Sequence, residues 1–418
     1  MNKSESLPVN EGNHFHRYMD YAHSVLTKYS GGEPFHLYLK KYFSANKKHG
    51  SRDRKEITSL CFRYFRLGMA VSPSVDINER ILLATFLVEK DPSPLLQLLK
   101  PQWTEKIHFN ISGKLEVVKN IFDAEKIFPF REELSDSVDF QRFNLSFLTQ
   151  PKLFIRTRPG YNDTIISKLK SANISFEAIN ADCLSFSNNE KVSDVIKIDE
   201  EAVIQDYNSQ RTGEFLQSEI ANCQAALAGS SKTKIWDCCA ASGGKSILAY
   251  DVLKNIELTV SDTRKNILEN LRKRFAKAGI KNYHSFVADL SSSPLREGSM
   301  PGPGYDLIIA DVPCTGSGTW ARTPEQLHFF SKNSIKKYAL LQRKIVQNAS
   351  NFLNPGGHFL YITCSVFKKE NEENVAFIQK ELPFELLESR YLKGYEMQAD
   401  TLFAALFKNA SLPSKGGF

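Results

Sequence analysis

The stretch KIWDCCAASGGKS, residues 234–246, decides how this chain is read. A short apolar run ends in Asp237, a loop of small residues follows, and paired glycines open a helical segment. Strand, glycine turn and helix start, in that order, mark the ligand-binding edge of an open α/β sheet. Gly243 and Gly244 allow the backbone to approach a ligand closely, and the helix start offers amide donors. Two phosphate-binding motifs fail here. A P-loop needs glycine where Cys239 stands, and the Gly-x-Gly-x-x-Gly dinucleotide fingerprint is absent.

Working outward, the rhythm from about residue 234 is strand, loop, helix. The strands are KIWDC, IELTVSD, HSFVAD, YDLIIAD and GHFLYITC, separated mostly by helical stretches such as RKNILENLRKRFAKAG and NSIKKYALLQRKIVQNASNFL. This alternation predicts a doubly wound parallel sheet. FELLES and LFAALFK then supply an antiparallel edge. Upstream, KLFIRTRP, ISFEAI, CLSFS and VIKI read as strands of a small α+β module, with DTIISKLKSANI as its helix. Residues from 13 to about 145 space apolar side chains at three and four, as helices do. Ser51 is a candidate cap of the third helix, INERILLATFLVEK reads as a core helix, and DPSP at 91–94 as a break.

The fold class expected is therefore α/β, a Rossmann-like parallel sheet with an antiparallel edge strand. An all-α region at 1–148 and a small α+β module at 149–205 precede the catalytic domain at 206–410.

Three further strands end in aspartate: Asp262, Asp289 and Asp311. In a parallel sheet all three fall on the edge that carries the glycine loop. An acid after the second strand suits two ribose hydroxyls, and one after the third suits the amino group of a purine. With a loop for an amino-acid moiety, the set describes a nucleoside cofactor without phosphates, S-adenosylmethionine.

Cys314 in ADVPCTGSG follows the fourth strand, and Cys364 in YITCS the fifth. Neighbouring strands lie about 4.8 Å apart, so both thiols can face one pocket. Two thiols beside a methyl donor address a specific problem, since carbon 5 of a pyrimidine is a poor nucleophile. A thiolate adding at carbon 6 activates it, and a second thiol acts as, or assists, the base that releases the product. Lys245 or a helix terminus is a candidate for lowering a thiol pKa, and Asp311 for binding the amidine edge of the base. Cys61, Cys183 and Cys223 are read as core residues, Cys238 and Cys239 as packing or backbone contacts in the loop. No spacing suggests a metal site.

These segments resemble the Sun/Fmu/RsmB family of RNA cytosine-5 methyltransferases. DCCAASGGKS is similar to its Asp-x-Cys-Ala-Ala-Pro-Gly-Gly-Lys-Thr motif, DVPCTGSG to Asp-Ala-Pro-Cys-Ser/Thr-Gly-x-Gly, and TCSVFKKENEENV to Thr-Cys-Ser followed by Glu-Asn-Glu. AVIQDYNSQ and ADTLFAALFK also match family segments. The resemblance implies that Cys364 is the nucleophile and Cys314 the cysteine that aids release. It implies that Cys239, Ala240, Ala241, Ser242, Gly243, Gly244 and Lys245, with Asp262, Asp289 and Asp311, contact S-adenosylmethionine. It also implies an RNA-recognition-like module at 149–205 and a NusB-like N-terminal domain of the RsmB branch. Ser242 stands where the family has proline, which is expected to loosen the loop slightly, and Ser246 where it has threonine.

The net charge of +7 favours an anionic partner. The segment Lys47–Arg66 holds seven Lys/Arg against two acids, so phosphate binding is one reading and a solvated helix face the other. Arg156 and Arg158 are better-placed phosphate contacts, on the module that leads into the catalytic domain. The expected substrate is ribosomal RNA, with transfer RNA open. An RNA-binding assembly factor with a silent cofactor pocket is the competing class. Seven scattered cysteines, no apolar leader and no run long enough for a bilayer lead to the expectation of a cytoplasmic monomer with no membrane partner.

Overall fold

The computed structural model describes residues 9–217, 232–253, 255–292 and 304–411. Two compact units share the chain. The first comprises Met1–Glu132, Asp139–Gln150 and Trp320–Ser331; the second comprises Glu133–Val138, Pro151–Thr319 and Lys332–Phe418.

The first unit is helical. Its longer helices are α1 (Val9–Lys28), α2 (Phe35–Ala45), α3 (Ser51–Arg66) and α4 (Ile77–Val88). α4 is the core helix that its sequence predicts, with Ile81 to Leu87 all buried and Asp76 capping it by accepting the Asn78 amide at 2.7 Å. Ser51 is not a cap. It is the first helical residue of α3, and the Asp53 carboxylate takes the Gly50 amide at 2.9 Å instead.

The basic segment divides in the structure. Arg66 is buried, and its guanidinium donates to the carbonyls of Phe147, Thr149 and Ala321 at 2.9–3.0 Å, and to Gln150. Arg63 pairs with Glu89. Phe65 packs among Tyr29 and Phe35. Lys47, Lys48, Arg52, Arg54 and Lys55 remain exposed.

The second unit contains two sheets. The small one is antiparallel, in the order β2-β3-β1-β4, from β1 (Leu153–Thr157), β2 (Glu177–Ala178), β3 (Cys183–Phe186) and β4 (Ala202–Ile204), with α5 (Asn162–Ser171) packed on it. VIKI is not a strand. Its Ile196 is buried in the module's core with Val195 and Ile198 packed against that core, and the fourth strand forms at Ala202–Ile204 instead.

The large sheet runs β10-β11-β9-β8-β5-β6-β7. Its strands are β5 (Thr233–Asp237), β6 (Ile256–Asp262), β7 (Tyr283–Val287), β8 (Tyr305–Asp311), β9 (Leu353–Thr363), β10 (Phe384–Leu392) and β11 (Leu402–Asn409). β5 to β9 pair in parallel; β11 is antiparallel to both β9 and β10, one place in from the edge. Helices α6 (Gly244–Val252), α7 (Lys265–Lys277), α8 (Asn333–Ser350) and α9 (Glu372–Glu381) connect the strands. Central strands such as LIIA at 307–310 are apolar throughout because both faces are covered. The strand order reverses at β5 and β8, so the carboxyl ends there open a crevice.

The small sheet is joined to α6 by buried charge. Asp251 on α6 receives Arg156 Nη1 at 2.7 Å and Arg158 Nη2 at 2.7 Å, and all three side chains are at most 10% exposed. Arg158 also donates to the carbonyl of Ala278 at 2.8 Å. These two arginines are therefore internal fasteners, not the phosphate contacts expected of them.

Candidate active site

The loop after β5 is shaped by its neighbours. Gly243 has φ +84°, and a Cβ there would lie 2.7 Å from Phe275 and 3.1 Å from Leu271 of α7, so only glycine fits. The Gly243 amide donates to the Ala240 carbonyl at 2.8 Å, and the Ala240 amide to Ser261 at 2.9 Å. Ser242 does not leave the loop loose. Arg274 of α7 donates to its carbonyl at 2.9 Å and its hydroxyl at 3.0 Å, and is itself held by Asp199 at 2.9 Å. A side-chain clamp thus stands where the family has a stiff residue. Cys238 is buried in the core, and Cys239 packs against it, half-buried.

The strand-end acids have distinct surroundings. Asp262 accepts the Ala241 amide at 3.0 Å and the Arg264 amide and guanidinium at 2.9–3.1 Å. Burial alone would raise its pKa, but the donors from Arg264 and Ala241 prevail and hold it below the usual range. Asp289 lies just past β7, exposed, and accepts the amide and hydroxyl of Ser291 at 2.9 and 2.6 Å, which lower it. Asp237 is fully buried, and burial pushes its carboxyl up to about 7 despite the Ser246 hydroxyl at 2.6 Å. Asp311 is paired with Lys245, whose Nζ lies 3.0 Å from it and 2.8 Å from Ser209 Oγ. Lys245 is therefore engaged with a carboxylate and a hydroxyl rather than with a thiol.

The two cysteine loops meet. Cys314 Sγ and Cys364 Sγ are 3.1 Å apart, both half-buried and both free. A disulfide would need about 2.05 Å, so these are two thiols in contact. The hydrogen bond with Cys364, and then burial, push Cys314 well above the ordinary thiol range. Gly318 tightens the junction. Its amide donates to the Cys364 carbonyl at 2.9 Å, and a Cβ there would strike the Thr401 carbonyl at 1.9 Å. Among the residues in this site, Ser209, Arg274 and Glu370 were not singled out from sequence. Glu370 sits inside the quoted Glu-Asn-Glu motif, where its neighbours gave it no distinguishing mark. Cys61 and Cys183 are fully buried, and Cys223 lies outside the described residues. No group of three or more potential metal ligands occurs among the described residues.

A nucleoside cofactor with an amino-acid tail fits these residues. A Cβ on Gly244 would meet no heavy atom within 4 Å, so open space lies beside the backbone where α6 begins. Asp262 ends β6, and Asp289 lies two residues past β7.

The sequence profile of the family described as "16S rRNA methyltransferase RsmB/F" matches residues 224–407. Ribosomal RNA small subunit methyltransferase B of Shewanella oneidensis is 30% identical over 152 residues, 36% of this chain and 34% of that protein. The mouse tRNA (cytosine(72)-C(5))-methyltransferase NSUN6 is 30% identical over 159 residues, 36% of this chain and 33% of that protein. The chain thus matches about a third of the length of these curated relatives. The crystal structure of PH0851 shares the fold, with a TM-score of 0.66 and 17% identity, over 97% of this chain and 100% of that one. Residues 224–407, less than half of the chain, are thus similar to the RsmB/F family of methyltransferases.

Proposed function

We propose that this protein is an S-adenosylmethionine-dependent RNA cytosine-5 methyltransferase acting on small-subunit ribosomal RNA. The observation that carries the reading is the contact of two free thiols at the ends of neighbouring strands, on the same sheet edge as the Lys245–Asp311 pair. The loop at residues 239–245 would hold the amino-acid end of the cofactor, Asp262 its ribose and Asp289 its adenine. Bound there, the cofactor supplies a methyl group on a sulfonium.

The chain's own groups do the rest. The thiolate of Cys364 forms a bond to carbon 6 of cytosine, and the ring's electron pair shifts toward carbon 5. Asp311 holds the amidine edge of the base, and Lys245 orients Asp311. Once carbon 5 is methylated, its proton passes to a base that Cys314 supplies or assists. The double bond re-forms and Cys364 leaves as thiolate. The target base must leave its stack to reach Cys364, so unpaired RNA is the cheaper substrate.

Ribosomal RNA is favoured by the profile match; the similarity to NSUN6 supports transfer RNA as the second reading. An assembly factor with a silent pocket would have no use for the paired thiols. We take the enzyme to be a cytoplasmic monomer; no helix among the described residues is long and apolar enough to cross a membrane. Bisulfite sequencing of ribosomal and transfer RNA from a deletion strain tests the reading. One ribosomal cytosine is expected to lose its methyl mark. Loss confined to transfer RNA selects the second reading, and no loss in either rejects both.

The cofactor loop gives a further expected result. Arg274→Ala removes the donor from both Ser242 oxygens and should weaken S-adenosylhomocysteine binding about tenfold, roughly the value of one charged hydrogen bond. Ser242→Ala keeps the carbonyl contact and should cost less. Calorimetric titration of both variants checks the order.

A further inference from the structure

Glu370 follows β9 in the acid-rich KKENEEN segment, yet it is fully buried while its neighbours Lys368 and Lys369 reach solvent. Its carboxylate accepts four hydrogen bonds. Oε1 takes the Thr315 amide at 2.9 Å and Gln342 Nε2 at 2.9 Å. Oε2 takes the Thr315 hydroxyl at 2.5 Å and the Ser365 hydroxyl. Thr315 is the residue after Cys314, and Ser365 the residue after Cys364. One buried side chain therefore grips both loops one residue away from each sulfur.

Four donors fill the acceptor capacity of an ionised carboxylate. The surrounding shell is itself braced. Tyr361 donates to the Glu370 carbonyl at 2.6 Å, and Asn374 Nδ2 donates to Gln342 Oε1 at 2.7 Å. A network of this density holds a geometry, and a displacement near 1 Å at reacting atoms can cost about 10²-fold in rate.

We propose that Glu370 is a positioning residue of the methyl-transfer reaction, a clamp whose carboxylate ties Thr315 to Ser365 and so sets the two sulfurs in register. This rests on the reading of the cysteine pair given above. Glu370 does not touch the base or the sulfurs; it acts through the residues that follow them. Burial raises the Glu370 pKa against the hydrogen bonds from Ser365, Thr315 and Gln342, and when the carboxyl is ionised its charge disfavours ionisation of Cys314. The titratable groups that act on Cys314 from the neighbouring elements are Cys364 on the loop after β9 and Glu370 before α9, and Cys314 in turn raises Tyr338 on α8 and Tyr361 on β9.

Two substitutions separate the clamp from its charge. Glu370→Gln can keep one oxygen for the Thr315 amide and Gln342, and offer an amide to the two hydroxyls, so geometry is retained and charge is lost. Glu370→Ala removes both, and Thr315→Val, which deletes one strand of the clamp, serves where the alanine variant fails to fold.

The readouts are kcat and KM with ribosomal RNA and S-adenosylmethionine, and the pH dependence of Cys314 and Cys364 alkylation by iodoacetamide, followed by mass spectrometry. For Glu370→Ala, or for Thr315→Val in smaller measure, kcat should fall by about 10²-fold with KM little changed. For Glu370→Gln, kcat should fall less, and the alkylation midpoint of Cys314 should move down by about one pH unit. If Glu370→Gln leaves the alkylation profile unmoved, and neither Glu370→Ala nor Thr315→Val lowers kcat beyond the loss of folded protein, Glu370 is only structural and the proposal is overturned. If the wild-type protein methylates no RNA, the reading of the site fails instead, and the alkylation profiles still decide whether Glu370 governs the thiol pair.

Discussion

Cys364→Ala should transfer no methyl group and trap no RNA, whereas Cys314→Ala should accumulate a protein–RNA adduct that survives denaturation. The asymmetry follows from what each sulfur is asked to do. Removing Cys364 removes the atom that bonds to carbon 6, so the ring never becomes nucleophilic and nothing covalent forms. Removing Cys314 leaves that bond able to form but takes away the group that helps the carbon 5 proton leave. General-base assistance of this kind is typically worth about 10²–10⁴-fold, enough for release to become the slow step and the adduct to persist. The two effects are separable because each alanine removes one sulfur and leaves the other loop held by Glu370. Electrophoresis in denaturant with labelled RNA reads the adduct directly. An adduct with Cys364→Ala and none with Cys314→Ala would exchange the two roles.

Much of this site could be read from sequence because parallel strands impose their own logic. Once β5, β6 and β8 are recognised as parallel, Asp237, Asp262 and Asp311 must fall on one edge; that the loops after β8 and β9 are neighbours follows from the methyltransferase-like strand order, in which β8 pairs with β9. Cys314 and Cys364 then share a crevice, although fifty residues separate them. The residues that hold this edge in place gave no such signal. Glu370 is one of several acids in a polar run, and only its burial, which depends on Gln342 of α8 and Thr315 of the facing loop, sets it apart. Arg274 lies on an amphipathic helix among other basic residues, and its contact with Ser242 exists only because α7 packs over the loop. Arg156 and Arg158 misled for the opposite reason. Alternating charge on a strand reads as a solvated face, but both side chains point into the contact with Asp251.

That contact supplies the largest expected stability effect. Asp251→Ala should lower stability by about 3–5 kcal/mol, because it leaves two guanidinium groups buried without their counter-charge. Burial already lowers the Arg156 pKa against the pull of Asp251, and its Nη2 has no hydrogen-bond partner, so Arg156 keeps only the Gln205 side chain, at 3.2 Å from Nε, when the carboxylate is gone. Arg158 has three carbonyls to fall back on, those of Asp199, Glu200 and Ala278, at 2.8–3.4 Å. Arg156→Met in the Asp251→Ala background should therefore recover a larger share of the loss than Arg158→Met, which would strand those carbonyls. At roughly 2–4 °C per kcal/mol for a unit of this size, Asp251→Ala should reduce the melting temperature by about 10 °C. Thermal denaturation of the three variants decides the matter. A change below about 2 °C for Asp251→Ala would mean that water reaches the pair and that the small sheet is not fastened to α6 through it. If the loss is as large as expected, the helix that begins at Gly244 and the sheet that precedes it in sequence melt as one body, and the cofactor loop inherits its rigidity from both.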